Sequence, residues 1–365
     1  MLISGPISFK LYYNSNKKHY IFIFGDEHES LEHICNNKSD SVLIWDFLNN
    51  LFIKNKDKFF NFYLETYQIN DDCSVNIINN DSISNIISTF NAFTCIKDKI
   101  KIKYPNIFFH YIDFRLMSCF DFIRNKHHIN YKDAYQLFNN IELLDYYFLY
   151  IFDCLNDNIC NFTKIHLYLT KIKKIFIDYN LYNYNINSYV NLIIDKVNYS
   201  KIDKQFSKIY DNNIIDKINS YFYDYMNNIK KEFKCLSFKN VFRTINLLLD
   251  DFQNNKKNIK ALFKFYYMNF LTQIILMDIY TLARIFKVKN FSQNVINNDI
   301  SSNTYHIDTS IIYDIVYVGQ KHMNNYISVF NKLDYDLVFT ASTIKNNKRC
   351  IDIDNSLFSN LNINI

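Results

Sequence analysis

Between Asn106 and Val318 the chain contains neither glycine nor proline. Such a stretch lacks the residues that most readily end a helix or set a tight turn, so it favours long helices. Apolar residues recur there at helical spacing, as from Ile141 to Leu155, Ile165 to Phe176 and Ala261 to Phe286, with Asn-rich turns between. Outside this block the pattern changes. Residues 7–13 and 19–24 alternate or run apolar around Asn14-Ser15-Asn16-Lys17-Lys18, which reads as a β-hairpin. Further strand-like runs cover Phe59 to Leu64, Ile107 to Ile112, Ile311 to Val318 and Leu337 to Phe339. Helical patterns fall between them, through Leu31, Ile34, Leu43, Phe47 and Leu51, around Ile83 to Ile100, and near Met323 to Leu333. Strand and helix in alternation are the signature of parallel βαβ units. The expected fold class is α/β: a mostly parallel sheet built from both chain ends, with a large all-helical insertion. The N-terminal half of the core spans 1–120, the insertion 121–304, and the C-terminal half with a polar tail 305–365.

The chain has three glycines, and two of them stand in segments of one design. Tyr20-Ile21-Phe22-Ile23-Phe24-Gly25-Asp26-Glu27-His28 and Asp314-Ile315-Val316-Tyr317-Val318-Gly319-Gln320-Lys321-His322 each read as an apolar strand followed by Gly-x-x-His. Glycine is used where a strand turns sharply or another group must approach closely. Ligands in open α/β sheets bind at the carboxyl ends of the strands. Asp26, His28, Glu65, Asp113, Arg115 and His322 all follow a strand's last apolar residue, which would set them on that edge. Two histidines with one or two carboxylates can hold a divalent metal and activate its water. Without metal, the same groups can act as a general base and an orienting acid. The plain alternative is that strand ends are polar because strands end at the surface.

Other features point away from specific chemistries. His28-Glu29-Ser30-Leu31-Glu32-His33 has its second histidine one residue late for a helical zinc motif. His127-His128 lies in a polar segment, and His19 and His166 read as surface or satisfied core residues. Asp278 and Arg284 interrupt an apolar helix, either as a structural ion pair or facing a cleft. A net charge of +5, with lysines and acids interleaved, leaves no dense basic patch, so no nucleic-acid partner is expected. No segment reaches the ~18 uninterrupted apolar residues of a membrane span. The N-terminus lacks a basic region followed by an apolar stretch, so no signal peptide is expected. Eight irregularly spaced cysteines, without a C-x-x-C pair, read as reduced thiols of a cytoplasmic protein.

At Gly25-Asp26-Glu27-His28, Gly319-Gln320-Lys321-His322 and Leu64-Glu65, the chain resembles the group of Tiki/TraB proteases, erythromycin esterases and ChaN-like proteins. That group carries paired G-x-x-H-type motifs at the ends of an α/β core and a Glu after the second strand. The esterase and ChaN branches place Glu directly after the first Gly, where this chain has Asp26. Several short segments, among them Ile3-Ser4-Gly5-Pro6-Ile7, His110-Tyr111-Ile112-Asp113-Phe114-Arg115 and Asp278 to Arg284, also resemble uncharacterised proteins of large nucleocytoplasmic DNA viruses. Abundant Asn, Ile, Lys and Tyr, whose codons are AT-rich, suit such a genome and a cytoplasmic place in an infected host cell. The resemblance implies a metal-assisted hydrolase of an ester or amide, on a small-molecule or peptide substrate. In that reading His28, His322, Glu65 and Asp26 hold Mn, Zn or Co, His28, Glu65 and His322 act in catalysis, and Asp113 and Arg115 bind substrate, Arg115 also as the oxyanion anchor. The competing expectations are a non-catalytic viral protein that keeps the fold and binds a host or virion partner, and a small-ligand binder.

Overall fold

The computed structural model describes residues 1–27, 35, 41–65, 106–112, 144, 147–148, 150–152, 162–196, 204–209, 211–287, 308–343 and 349–365. The chain divides into two compact units, one of Met1–Phe114 with Ile285–Ile365, the other of Arg115–Arg284.

The first unit is α/β. Its strands are β1 (Leu2–Ser4), β2 (Ser8–Asn14), β3 (His19–Asp26), β4 (Ser41–Leu43), β5 (Lys58–Leu64), β6 (Ile107–Tyr111), β7 (Asp308–Gly319), β8 (Asp336–Ser342) and β9 (Cys350–Asp352). Six of them form a mostly parallel sheet in the order β6-β5-β7-β3-β2-β8. β6, β5, β7 and β3 run parallel, while β2 joins β3, and β8 joins β2, antiparallel. The β2–β3 pair is the hairpin read from the sequence. A smaller sheet, β4-β1-β9, pairs the N-terminus with the C-terminal segment.

Strand alternation divides the side chains between two faces. Phe60, Phe62 and Leu64 of β5, Phe22 and Phe24 of β3, and Tyr313, Ile315 and Tyr317 of β7 join one apolar core. Helices α1 (Ile44–Lys54) and α8 (Asn355–Asn360) cover it: Phe47 meets Phe24 and Phe358, Phe358 meets Phe22, and Phe52 meets Phe60 and Phe62. On the opposite face lies α7 (Gln320–Phe330), with Phe330 against Tyr12 and Met323 against Ser8. The residues after β8, expected to be a polar tail, bury Ile351, Ile353, Leu357, Phe358 and Ile363. Of the expected helical pattern, Leu31 and Ile34 lie outside the described residues, Leu43 belongs to a strand because Ser41–Leu43 pairs with β1, and Phe47 and Leu51 stand on the helix from Ile44.

The second unit is helical where described. It contains α2 (Phe162–Asp178), α3 (Ile186–Lys196), α4 (Asn212–Glu232), α5 (Phe238–Asp250) and α6 (Lys260–Phe286), the last running across the boundary of the units. Ser237 and Asp211 cap their helices by accepting from the N–H of Asn240 and Asn213. Asp278 is fully buried on α6, facing Tyr221 and Tyr225 of α4, and Arg284 donates to the Tyr280 hydroxyl at 2.8 Å. No described helix is long and apolar enough to cross a membrane.

The expectation of reduced thiols needs correction. Cys35 and Cys350 form a disulfide between residues 315 apart in sequence. Irregular spacing carried no sign of it, because only the folded chain brings β9 beside the segment at Cys35. The exposed Cys235 thiol is free.

Candidate functional site

Parallel pairing brings three strand ends to one edge of the sheet. Asp26 is in register with Gly319, Leu64 with Tyr317, and the N–H of Glu65 donates to Tyr317 O at 3.1 Å. Asp26, Glu65 and the start of α7 therefore share the carboxyl edge. His28, Asp113 and Arg115 lie outside the described residues, and with them the expectation that His28 and His322 share one ligand.

Glu65 and His322 come together from distant parts of the chain. His322 stands in the first turn of α7, and its Nε2 lies 3.3 Å from Glu65 Oε1. Both side chains are under one-tenth exposed, at 6% for His322 and 7% for Glu65. The other carboxylate oxygen, Oε2, accepts from the Gly319 N–H at 2.5 Å. Gly319 is the N-cap of α7 and has no side chain to cap with. Glu65 supplies from a neighbouring strand the negative charge that a helix N-terminus favours.

Asp26 belongs to a different cluster. Residues 22, 24 and 26 of β3 share the face under α1, and the Asp26 carboxylate is buried there. Its Oδ1 is 2.5 Å from Arg349 Nη2 and also accepts from the Glu27 N–H at 2.8 Å. Its Oδ2 accepts from the Tyr317 hydroxyl at 2.9 Å. Arg349 is itself buried, and its Nε donates to Gly5 O at 2.9 Å. The structure thus joins Glu65 to His322 and Asp26 to Arg349, as two separate pairs.

The role of Gly25 is close approach. A Cβ built there would overlap Gln320 Oε1 and come within 2.6 Å of Ser8 Oγ and 2.7 Å of Met323 Sδ. The first turn of α7 therefore rests directly on β3, which seats His322.

A second polar group crosses the sheet on the α7 face. Asn61 Nδ2 donates to Asp314 Oδ1 at 2.8 Å, and Asp314 Oδ2 is 3.0 Å from His19 Nε2. His19 Nδ1 lies 2.7 Å from the Tyr335 hydroxyl, and His110 Nε2 lies 3.4 Å from Asn61 Oδ1. All five residues are buried. His19 is thus a satisfied core residue, one of the two readings its sequence context left open. The remaining members were missed, although Asn61 and Asp314 interrupt otherwise apolar strands and so gave a signal. Arg349 gave none, since it stands in a polar stretch beside Cys350.

Among the described residues, no group of three or more His, Cys, Asp or Glu is placed to hold a metal ion. Compared with protein-family models, with curated proteins and with solved structures, the chain matches none. Chemically, the Glu65–His322 pair can fix an imidazole tautomer and stabilise its protonated form, the arrangement a general base requires.

Proposed function

We propose that the chain is a hydrolase of an ester or amide, with its centre at the carboxyl edge of the sheet around Glu65 and His322. The observation that carries this reading is the 3.3 Å Glu65–His322 approach, made between residues far apart in sequence and nearly buried. Glu65, close to Nε2, favours the tautomer whose Nδ1 bears the lone pair and stabilises the imidazolium formed when His322 takes a proton from water. Arg115 and Asp113 enter as substrate anchors on the sequence pattern alone, and the substrate is a small molecule or peptide. The resemblance to the Tiki/TraB, erythromycin-esterase and ChaN-like group supports the reaction class. The organisation that goes with this reading is an α/β core interrupted by a helical block.

The described donors fit only part of a metal site. Glu65 and His322 offer one oxygen and one nitrogen, and Asp26 is held by Arg349 on the other face. A divalent Mn, Zn or Co ion would need further ligands, such as His28, and would supply a bound water of lowered pKa. The proton-transfer role of His322 does not depend on it.

The second reading, a non-catalytic protein that binds a partner or small ligand, is favoured by the bond from Gly319 to Glu65. That bond gives Glu65 a purely structural task as an anchor for α7. The two readings separate in an assay of the purified chain against a panel of chromogenic esters and anilides, with and without added Mn, Zn or Co. Hydrolysis that falls by about a hundredfold or more in His322→Gln, with the fold retained, supports the enzyme. No turnover of any substrate under any metal condition overturns it in favour of the binding protein.

A further inference from the structure

We propose that the helical unit carries a docking surface for an anionic lipid bilayer, formed by the first turns of α6 and the last turn of α4. Lys260, Phe263, Lys264 and Tyr267 recur at the spacing of one helix face, and all four are exposed. Phe263 is 52% exposed and Tyr267 37%, so two large rings reach water among lysines. α4 brings more charge to the same place. It runs antiparallel to α6: Tyr221 and Tyr225 face Asp278, whereas Phe233, at the C-terminal cap, meets the Tyr267 ring at 6.1 Å. Lys230 and Lys231 in the last turn of α4, and Lys234 just beyond it, therefore stand at the helix end beside Tyr267. Among the described residues none of these five lysines has a carboxylate at ion-pair distance. The chain has no acid from Phe252 to Met277, and only Glu232 from Tyr225 to Leu249. No dense basic run marks the sequence, because the lysines come from two helices that only the fold sets side by side.

The occupant follows from charge complementarity and from the kind of cation present. Lys230 and Lys231 suit the negative end of α4, but Lys260 opens α6, where the helix dipole disfavours a cation and no acid stands in the first turn. Its charge has no local partner and is answered by an outside anion. Recognition of an acidic peptide or a nucleic-acid backbone draws on the planar fork of arginine, and protein interfaces are depleted in lysine. This face offers only lysine point charges around apolar rings on the convex side of a helix. A bilayer surface needs negative charge opposite the lysines and room for the rings at the headgroup level, with no fixed hydrogen-bond geometry. The long lysine stems keep their charges at the headgroups while Phe263 and Tyr267 enter the boundary.

The test is co-sedimentation of the full chain with vesicles of phosphatidylcholine alone, or with about one-third phosphatidylserine, in about 0.1 M salt. The parent is expected to bind only the phosphatidylserine vesicles. Lys260→Gln with Lys264→Gln should weaken binding about 25-fold, since each lysine at an anionic surface contributes about fivefold. Phe263→Ala should weaken it about fivefold through lost apolar insertion. Lys56→Gln with Lys332→Gln removes the same charge from exposed positions of the other unit and should leave binding within about twofold. Every substituted side chain is exposed, so all variants should keep the parent's circular dichroism and melting temperature, which are measured alongside. No binding to phosphatidylserine vesicles overturns the proposal. So does a loss no larger in the Lys260 and Lys264 pair than in the Lys56 and Lys332 pair, or binding that Phe263→Ala leaves unchanged. A parent that ignores vesicles but binds a single-stranded oligonucleotide or polyglutamate through Lys260 and Lys264 overturns it in favour of that class of partner.

Discussion

Replacing Arg349 by methionine removes one half of the buried Asp26–Arg349 pair while keeping a long, flexible side chain in its place. The side chains are 1% exposed for Arg349 and 0% for Asp26, so water does not take over when the guanidinium goes. The variant loses the contact to Asp26 Oδ1 and the 2.9 Å bond to Gly5 O. Asp26 keeps the Tyr317 hydroxyl and the Glu27 N–H. Those bonds exist in both proteins and offset nothing; they only soften the isolation of the charge. Breaking a buried pair by removing one partner costs about 3–5 kcal/mol, and the surviving donors argue for the lower end, about 3 kcal/mol. Asp26→Asn in the same chain removes the orphaned charge and retains an acceptor for Tyr317. The double variant should therefore recover about 1–2 kcal/mol relative to Arg349→Met alone. Urea unfolding followed by fluorescence and circular dichroism measures both, with midpoints compared at unchanged slope. Mass analysis must show the Cys35–Cys350 bond intact in every variant, since Cys350 adjoins the substitution. A loss under about 1 kcal/mol for Arg349→Met, or a double variant whose loss equals the sum of the two singles, would refute the reasoning.

Gly25→Ala places a methyl group against Gln320, Ser8 and Met323, and should destabilise by about 1–3 kcal/mol, with part regained by adding Ser8→Ala. An unchanged unfolding midpoint would mean that α7 does not rest on β3 as described. Reducing the disulfide frees a 315-residue separation, for which chain entropy sets a ceiling of about 5–6 kcal/mol. Unfolding with and without a dithiol, checked against Cys35→Ser with Cys350→Ser, reads the actual value. In the helical unit, burial and then the Asp278 carboxylate raise the Tyr225 phenol from 10.0 to about 12, and the same two causes raise Tyr221 further. A raised phenol favours the protonated folded state, so this contribution is intact below pH 10 and drains away as pH rises from 10 through about 12. Spectrophotometric titration should show a late-ionising group of tyrosines that includes Tyr221 and Tyr225 and is smaller by one in Tyr225→Phe; ordinary ionisation of these two near pH 10 would contradict the packing.

Local patterning carries information about which element a segment forms, and here it was sufficient for the α/β class. Alternating and continuous apolar runs marked β2, β3, β5, β6 and β7, because a strand buried on one or both faces must show that pattern wherever it sits in the chain. Helical spacing without glycine or proline marked α2 and α6 for the same reason. The carboxyl-edge placement of Asp26, Glu65 and His322 was legible too, since each follows a strand end and parallel strands share one direction. The pairing of those side chains was not legible. Asp26 and Glu65 both end apolar strands, but they are set on opposite faces by strand parity and register, which no spacing reveals. Arg349 and Cys350 reach Asp26 and Cys35 only because β9 returns to β1 in the small sheet, a contact of short strands with little pattern of their own. Gly25 looked like a turn residue as readily as a packing residue until α7 lay across it. Sequence therefore determined the elements, whose causes are local, while the tertiary structure decided the partners of the described buried charges Asp26, Glu65, Asp314 and Arg349, because those depend on which distant segments the folded core brings within bonding distance.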